Sequence, residues 1–153
     1  MGRNYETWMD LAIFEAGLVR LDVPVGAALV NESGELVAVS RNRRESAGSL
    51  LGHAESNVIL EVWEMRQFGS LDGFTLISTL EPCIVCAGII RETGIKRVVY
   101  GASNPQRGAG GSVYDVLRDK RLGSPVEVIS GVRAGECKRL LDDFFAQLRN
   151  ESL

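Results

Sequence analysis

The apolar and polar positions of this chain alternate in blocks that predict strands and helices in turn. Short apolar runs predict five strands, at residues 25–30, 36–40, 74–79, 97–100 and 126–129. Apolar residues at helical spacing predict four helices, at residues 5–19, 53–67, 83–93 and 134–149, and a short helical turn at 113–117. Polar or Gly-rich segments at 31–34, 41–52 and 104–112 predict the connecting turn and loops.

This alternation predicts an α/β domain with three layers, α/β/α, around a five-stranded mixed sheet. The length of 153 residues fits a single domain, residues 1–153. In the first helix the spacing places Trp8, Leu11, Ala12, Glu15 and Leu18 on one mostly apolar face.

Composition and charge narrow the function classes. Hydrophobic residues make up 45% of the chain and charged residues 24%, which is typical of a soluble globular protein. No apolar run reaches the roughly 18 residues of a membrane span, and residues 1–10 show no signal peptide, so a cytoplasmic location is expected. The net charge of −3 makes a dedicated nucleic-acid binder less expected, although a local basic patch remains compatible with it.

The chain has one histidine, and it stands in His53-Ala54-Glu55, thirty residues before Cys83. Cys83 and Cys86 form a Cys-x-x-Cys pair after Pro82. Imidazole and thiolates suit zinc, and three protein ligands leave a fourth position open for water, as catalytic zinc sites do. Both predicted helices begin at these residues, so their positive ends would converge on the metal.

Glu55 is the expected acid and base of such a site. In the first turn of the helix that begins at His53, it would take a proton from the water, pass it to the substrate ring and later protonate departing ammonia. Two other interpretations stay open: a structural zinc knuckle, with Cys137 as the fourth ligand, or a redox Cys-x-x-Cys pair. For Cys137 itself, a small buried residue on the last helix is the simpler interpretation.

These motifs resemble those of the cytidine deaminase-like superfamily of zinc deaminases. The resemblance is closest to bacterial tRNA-specific adenosine deaminases and runs over almost the whole chain. It is carried by Pro24-Val25-Gly26-Ala27, by residues 79–88 (TLEPCIVCAG), by residues 108–112 (GAGGS) and by Asp143-Phe144-Phe145 near the end.

The resemblance implies one zinc ion per chain on His53, Cys83 and Cys86, and a homodimer. It also implies that Asn42 and the backbone amide of Ala54 hold the base. Two further residues, Val25 and Leu80, would sandwich the base, and Asn104 would lie where the sugar-phosphate backbone passes. Other interpretations are core packing for Val25 and Leu80, and a turn for Asn42.

The chain also departs from the adenosine deaminases. Residues 49–52 read SLLG where that group usually has D-P-T-A, and the spacing of Asn42, Gly48 and Ser49 is similar to that of fungal-type cytosine deaminases. Asn104 stands where the family often has Asp, which leads us to expect more tolerance of DNA. After the paired phenylalanines only Arg149 is basic within residues 146–149. Arg107 would contact phosphate if it points into the groove, although a solvated charge on a loop is the simpler interpretation.

Three functions therefore remain. The first is deamination of adenosine to inosine in a tRNA anticodon loop, and the second is deamination of a free cytosine, guanine or related heterocycle. The third is a non-catalytic zinc scaffold, which the presence of Glu55 disfavours.

Overall fold

The predicted strands join in one sheet with helices between them. A computed structural model describes residues 4–67 and 69–152. Its elements are α1 (Tyr5–Gly17), β1 (Gly26–Val30), β2 (Leu36–Arg41), α2 (Ala54–Met65), β3 (Thr75–Leu80), α3 (Ile84–Thr93), β4 (Arg97–Ala102), a 3₁₀ turn (Lys120–Leu122), β5 (Glu127–Ile129) and α4 (Ala134–Glu151). The predicted limits of the domain and the absence of a signal peptide also concern residues 1–3 and 153, which lie outside the described residues.

The sheet has the strand order β2-β1-β3-β4-β5. Strand β1 runs antiparallel to β2 and β3, whereas β3, β4 and β5 run parallel. The sheet is therefore mixed, as the sequence predicted, and the connections through α3 and through residues 103–126 join its parallel strands.

Helices cover both faces of the sheet. The core on one face joins α2 and α3 to alternate strand residues such as Leu29, Leu76 and Val98. The core on the other face joins α1 and α4 to the next residue along each of these strands, namely Val30, Ile77 and Val99. Because successive strand residues point to opposite faces, central strands buried on both sides become continuously apolar. The three-layer α/β/α prediction is confirmed.

The topology brings the ends of two parallel strands and the start of a helix to one edge of the sheet. Parallel strands β3 and β4 end side by side at Leu80 and Ala102. Helix α3 starts three residues after β3, and its neighbour α2 packs on the same face of the sheet. Ligands of α/β proteins bind at the carboxyl ends of parallel strands, so this edge is where a site is expected.

Two local predictions are wrong. In α1 the fully buried residues are Met9, Ala12 and Ala16, whereas Leu11 and Leu18 are exposed, so the buried face lies to one side of the predicted one. The close approach of α1 to β1 determines which face of the helix is buried. A side chain on Gly26 would overlap the carbonyl oxygen of Ala12, so α1 lies directly on β1 along its small residues.

The second error is the helical turn at 113–117. That segment is irregular, because its N–H groups bond back to the Gly-rich loop instead of to their own turn, and it forms one isolated β-bridge between Asp115 and Gly110. The Val113 and Tyr114 amides donate to the Gly108 carbonyl, and the Val116 amide donates to the Ala109 carbonyl, each at 3.0 Å. The helical turn occurs later, at Lys120–Leu122.

Within the described part of the chain, none of the helices combines the length and the apolar character that crossing a membrane requires.

Candidate metal centre and active-site cavity

The three predicted metal ligands lie at the starts of two helices. His53 is the N-cap residue of α2, Cys83 is the N-cap residue of α3, and Cys86 lies in the first turn of α3. Neither N-cap side chain accepts a hydrogen bond from its own helix. The side chains are thus directed to each other, and the positive ends of both helices favour thiolates between them.

The geometry of these ligands fits a zinc ion. The Nδ1 atom of His53 lies 3.6 Å from Sγ of Cys83 and 3.5 Å from Sγ of Cys86. Tetrahedral zinc, with bonds of about 2.0 Å to nitrogen and about 2.3 Å to sulfur, separates these two kinds of ligand by about 3.5 Å. The set can therefore hold one zinc ion, with Nδ1 as the histidine ligand. Among residues 4–67 and 69–152 it is the one group of three or more His, Cys, Asp or Glu side chains arranged for a metal.

The two thiols are hydrogen-bonded to each other, and their pKa values shift in opposite directions. A hydrogen bond from Cys86 lowers the pKa of the Cys83 thiol to about 3, against the effect of its burial, and His53 assists. The same hydrogen bond and its own burial raise the pKa of Cys86 well above its ordinary value. The lowered pKa favours the thiolate form of Cys83, and a bound cation would favour the thiolate form of Cys86 as well.

Glu55 lies beside the ligands and is almost completely buried. Burial raises the pKa of its carboxyl group, whereas hydrogen bonds from Cys86 and Ser78 and the charge of His53 oppose that rise. The Oγ atom of Ser78 lies 3.0 Å from Oε1 of Glu55. A carboxyl group with a raised pKa holds a proton more readily than an exposed one and can still return it, which is what an acid-base role requires.

A cavity of about 990 Å³ opens from this group to the surface. Its wall includes nearly all of the residues that the sequence singled out: Val25, Asn42, His53, Ala54, Glu55, Leu80, Cys83 and Asn104. Cys86 lies fully buried behind it. Val25 also belongs to the core and Leu80 packs against it, so core packing and cavity lining are both true of these residues.

The two asparagines also hold the backbone at the cavity. Asn42 donates from Nδ2 to the Val23 carbonyl at 3.0 Å and accepts from the Arg44 amide at 3.1 Å. Asn104 accepts from the Arg107 amide at 3.2 Å through Oδ1. Both therefore stabilise turns, and each turn forms part of the cavity wall.

Comparisons with known proteins identify the family. The sequence profile of the cytidine and deoxycytidylate deaminase zinc-binding region matches residues 3–102. The chain is a member of this deaminase family. It is a hydrolytic deaminase of carbon–nitrogen bonds and has the zinc-binding residues of the family.

Individual relatives of this deaminase extend the match beyond residue 102. The tRNA-specific adenosine deaminase of Bacillus subtilis is 38% identical over 148 residues, which are 95% of this chain and 91% of that protein. A structure solved in a study of A-to-I editing by tRNA:A34 deaminases matches with a TM-score of 0.83 and 35% identity, covering 88% of this chain and 99% of the other. A guanine deaminase from Nitrosomonas europaea shares the fold, with a TM-score of 0.74, 23% identity and coverage of 92% and 84%.

One other interpretation of the cysteines in this deaminase, the structural zinc knuckle, loses its support, since Cys137 is not part of the group that could hold a metal. Cys137, the possible fourth ligand of a zinc knuckle, is buried against Gly101, and its burial raises its pKa to about 12. It is the small buried residue that the sequence predicted.

Sequence reasoning missed two polar residues of this deaminase. Ser78, which contacts Glu55, belongs to an apolar strand and carries no signal apart from being polar there. Glu81, which lines the cavity, stands inside the quoted TLEPC segment, but the spacing of the motif gave it no role.

Proposed function

We propose that this deaminase converts adenosine to inosine in the anticodon loop of a tRNA. The shape of the cavity carries the proposal: it continues from His53 along the end of β4 to Lys138 and Phe145 of α4. Its volume of about 990 Å³ is at the upper end of sites for small molecules, which take about 300–1,000 Å³, and leaves room for nucleotides beside the reacting base. The near full-length similarity to a tRNA-specific adenosine deaminase supports the same substrate.

The base would be turned out of the loop into the deep end of the cavity. There Val25 and Leu80 face the cavity as apolar walls for the ring. Asn42 has unused hydrogen-bonding capacity on its amide for the edge of the base, since each polar atom makes one bond to the backbone. The amide of Ala54, at the uncapped start of α2, would donate to the same ring.

Glu55 would move the protons of the reaction. Zinc, when bound, acts as a Lewis acid and makes water a better nucleophile. Glu55 would take one proton from the attacking water and deliver it to the ring nitrogen. It would later take the proton of the new C6 hydroxyl group and pass it to the leaving amine. Water thereby adds to C6, the C6–N bond breaks, and ammonia and inosine are released.

A free nucleobase is the second candidate substrate, and the charges at the cavity mouth favour it. Arg44 lies 2.6 Å from Glu45, and Lys138 lies 2.5 Å from Asp142, so two of the basic groups on the wall are paired with carboxylates. Such pairs weaken the attraction for a phosphate backbone, which needs uncompensated positive charge.

An ammonia-release assay separates the two substrates. It compares an anticodon stem-loop containing adenosine with free cytosine, guanine and adenine. Turnover of the stem-loop alone is expected. Turnover of a free base alone would contradict the tRNA proposal, and a stem-loop with inosine in place of adenosine serves as the blank.

We also propose that the chain forms a homodimer through α2 and α3. Leu60, Ile84 and Val85 are exposed on the outer face of these helices, beside a shallow apolar cavity. Contiguous exposed apolar surface of this kind favours association, and a second copy of the chain would cover it. Light scattering should give twice the chain mass, and Val85→Glu should give the mass of one chain; an unaltered protein that is monomeric at assay concentrations would contradict the proposal.

Two further proposals concern the location of the protein and its domain organisation. A cytoplasmic location agrees with three free cysteines, two of which must stay reduced to bind a metal. A single domain spanning residues 1–153 agrees with one sheet that holds helices on both faces throughout the described residues.

A further inference from the structure

A buried carboxylate lies directly under the loop that forms one side of the cavity mouth. Glu81 follows the wall residue Leu80 and is only 1% exposed. Its Oε1 atom accepts from the Asn104 amide at 3.0 Å and from the Ser112 hydroxyl. Its Oε2 atom accepts from the Gly110 amide at 3.0 Å and from the Ser112 amide at 3.1 Å. All four donors belong to one segment, residues 104–112, which we call the rim loop.

The rim loop is also packed closely onto Glu81. A side chain on Gly108 would overlap Oε2 of Glu81, so this approach requires glycine. Beside it, the Ala109 amide donates to the Pro82 carbonyl at 2.8 Å. The carboxylate thus fills the interior of a loop that has no helix or strand of its own.

The outer side of the rim loop faces the cavity. Asn104, Pro105, Gln106 and Arg107 all line it. We propose that Glu81 is a positioning residue for substrate binding, whose carboxylate fixes the rim loop at the cavity mouth. The proposal depends on the deamination described above but not on which base is deaminated.

The donors explain why a carboxylate is needed. A carboxylate only accepts, and three of the four partners of Glu81 are backbone N–H groups that only donate. In Glu81→Gln, an amide nitrogen at the Oε2 position would be a donor facing two other donors, the backbone N–H groups of Gly110 and Ser112. The nitrogen is therefore expected at Oε1, where it can donate to the Ser112 hydroxyl but leaves the Asn104 amide unpaired. The variant should release the end of the loop that lines the cavity.

Asp22 provides a matched control. It is 3% exposed and accepts from the Glu45 amide, the Ser46 amide and the Ser46 hydroxyl, which belong to the loop on another side of the cavity. In Asp22→Asn, Oδ1 can keep both amides while the nitrogen in place of Oδ2 donates to the hydroxyl. Only the second contact of the Ser46 amide, at 3.3 Å to Oδ2, is lost. The same loss of one buried charge therefore leaves every partner of this residue satisfied.

The experiment measures kcat, KM and zinc content for the unaltered enzyme, Glu81→Gln and Asp22→Asn. The substrate is whichever compound of the ammonia-release assay the unaltered enzyme deaminates. We expect Glu81→Gln to raise KM about 10-fold while kcat stays within about threefold and zinc stays bound, because one buried donor is left unpaired away from the reacting atoms. Asp22→Asn should leave both constants within about threefold.

An unchanged KM in Glu81→Gln would overturn the proposal, and so would an equal rise in Asp22→Asn or a loss of zinc or kcat with KM unchanged. Hydrogen exchange on the unaltered enzyme tests the same contacts without any variant. The amides of Asn104, Gly110 and Ser112 should exchange at least about 100-fold slower than amides of an exposed loop, and exchange at open-loop rates would also overturn the proposal. Failure of the tRNA substrate would appear separately, as absent turnover of the stem-loop by the unaltered enzyme.

Discussion

Ser78 donates a hydrogen bond to Glu55 and opposes the rise of its pKa, and Ser78→Ala tests this contact. The serine is fully buried, and its hydroxyl group has one proton for two acceptors: Oε1 of Glu55 at 3.0 Å and the Leu80 carbonyl at 2.7 Å. The bond to Glu55 stabilises the carboxylate and lowers its pKa, against the larger effect of burial, which raises it. Removal of the hydroxyl should therefore raise the pKa of Glu55 further.

The sign of the effect on activity follows from the role of Glu55 as a base. Only the carboxylate can take a proton from water, so activity falls when the pH drops below its pKa. In Ser78→Ala the acid side of the pH profile should move to higher pH, while the plateau at higher pH stays. A hydrogen bond to a charged group contributes about 1.5–3 kcal/mol, and the shared proton places this one at the low end, so kcat/KM on the acid side should fall about 10-fold.

The assay is the pH profile of kcat/KM between about pH 5 and 9, followed by ammonia release. Ser78→Thr is the control, because it keeps the hydroxyl group and should keep the profile. A profile of Ser78→Ala that coincides with that of the unaltered enzyme would refute the reasoning, as would a uniform loss of activity at all pH values.

Three further predictions concern the acid-base residue Glu55, the metal ligand Cys86 and the choice between DNA and RNA at Asn104. Glu55→Gln should lower kcat by about 10²–10⁴-fold with zinc still bound, as expected for removal of an acid-base group; activity within about threefold of normal would exclude this role. Cys86→Ser should lose zinc on dialysis and lower the unfolding temperature of the zinc-loaded protein, since metal binding stabilises only the folded state; full zinc content by metal analysis would show that the sulfur is not a ligand. Asn104→Asp restores the residue that the family often has at this position, so it should lower turnover of a single-stranded DNA hairpin more than that of its RNA counterpart; equal losses on both would contradict the expected tolerance of DNA.

The sequence was sufficient for the fold because patterning acts locally. Residues 26–30 are apolar on both sides, and the helix that follows His53 has apolar residues such as Val58 and Val62 at helical spacing. Such periods persist whatever the chain packs against, and so they predicted the order of elements correctly. The prediction failed where a distant backbone decided, as in the segment 113–117, whose amides bond to Gly108 and Ala109.

The metal ligands could likewise be predicted from the sequence, because few other roles require a histidine and a Cys-x-x-Cys pair together. Their approach to within 3.6 Å across thirty residues of chain is a product of the fold. It follows from the parallel strands β3 and β4, which end at one edge, and from the start of α3 there beside α2.

The sequence by itself thus determined which groups can bind zinc and in which elements they lie, since ligand chemistry and apolar period are properties of the residues. The tertiary structure alone decided which ordinary residues serve that centre. Ser78 and Glu81 are common side chains in an apolar strand and its following turn, and what distinguishes them is burial beside Glu55 and beneath the rim loop. A buried polar group must find its partners inside the protein, and those partners come from parts of the chain that only folding brings near.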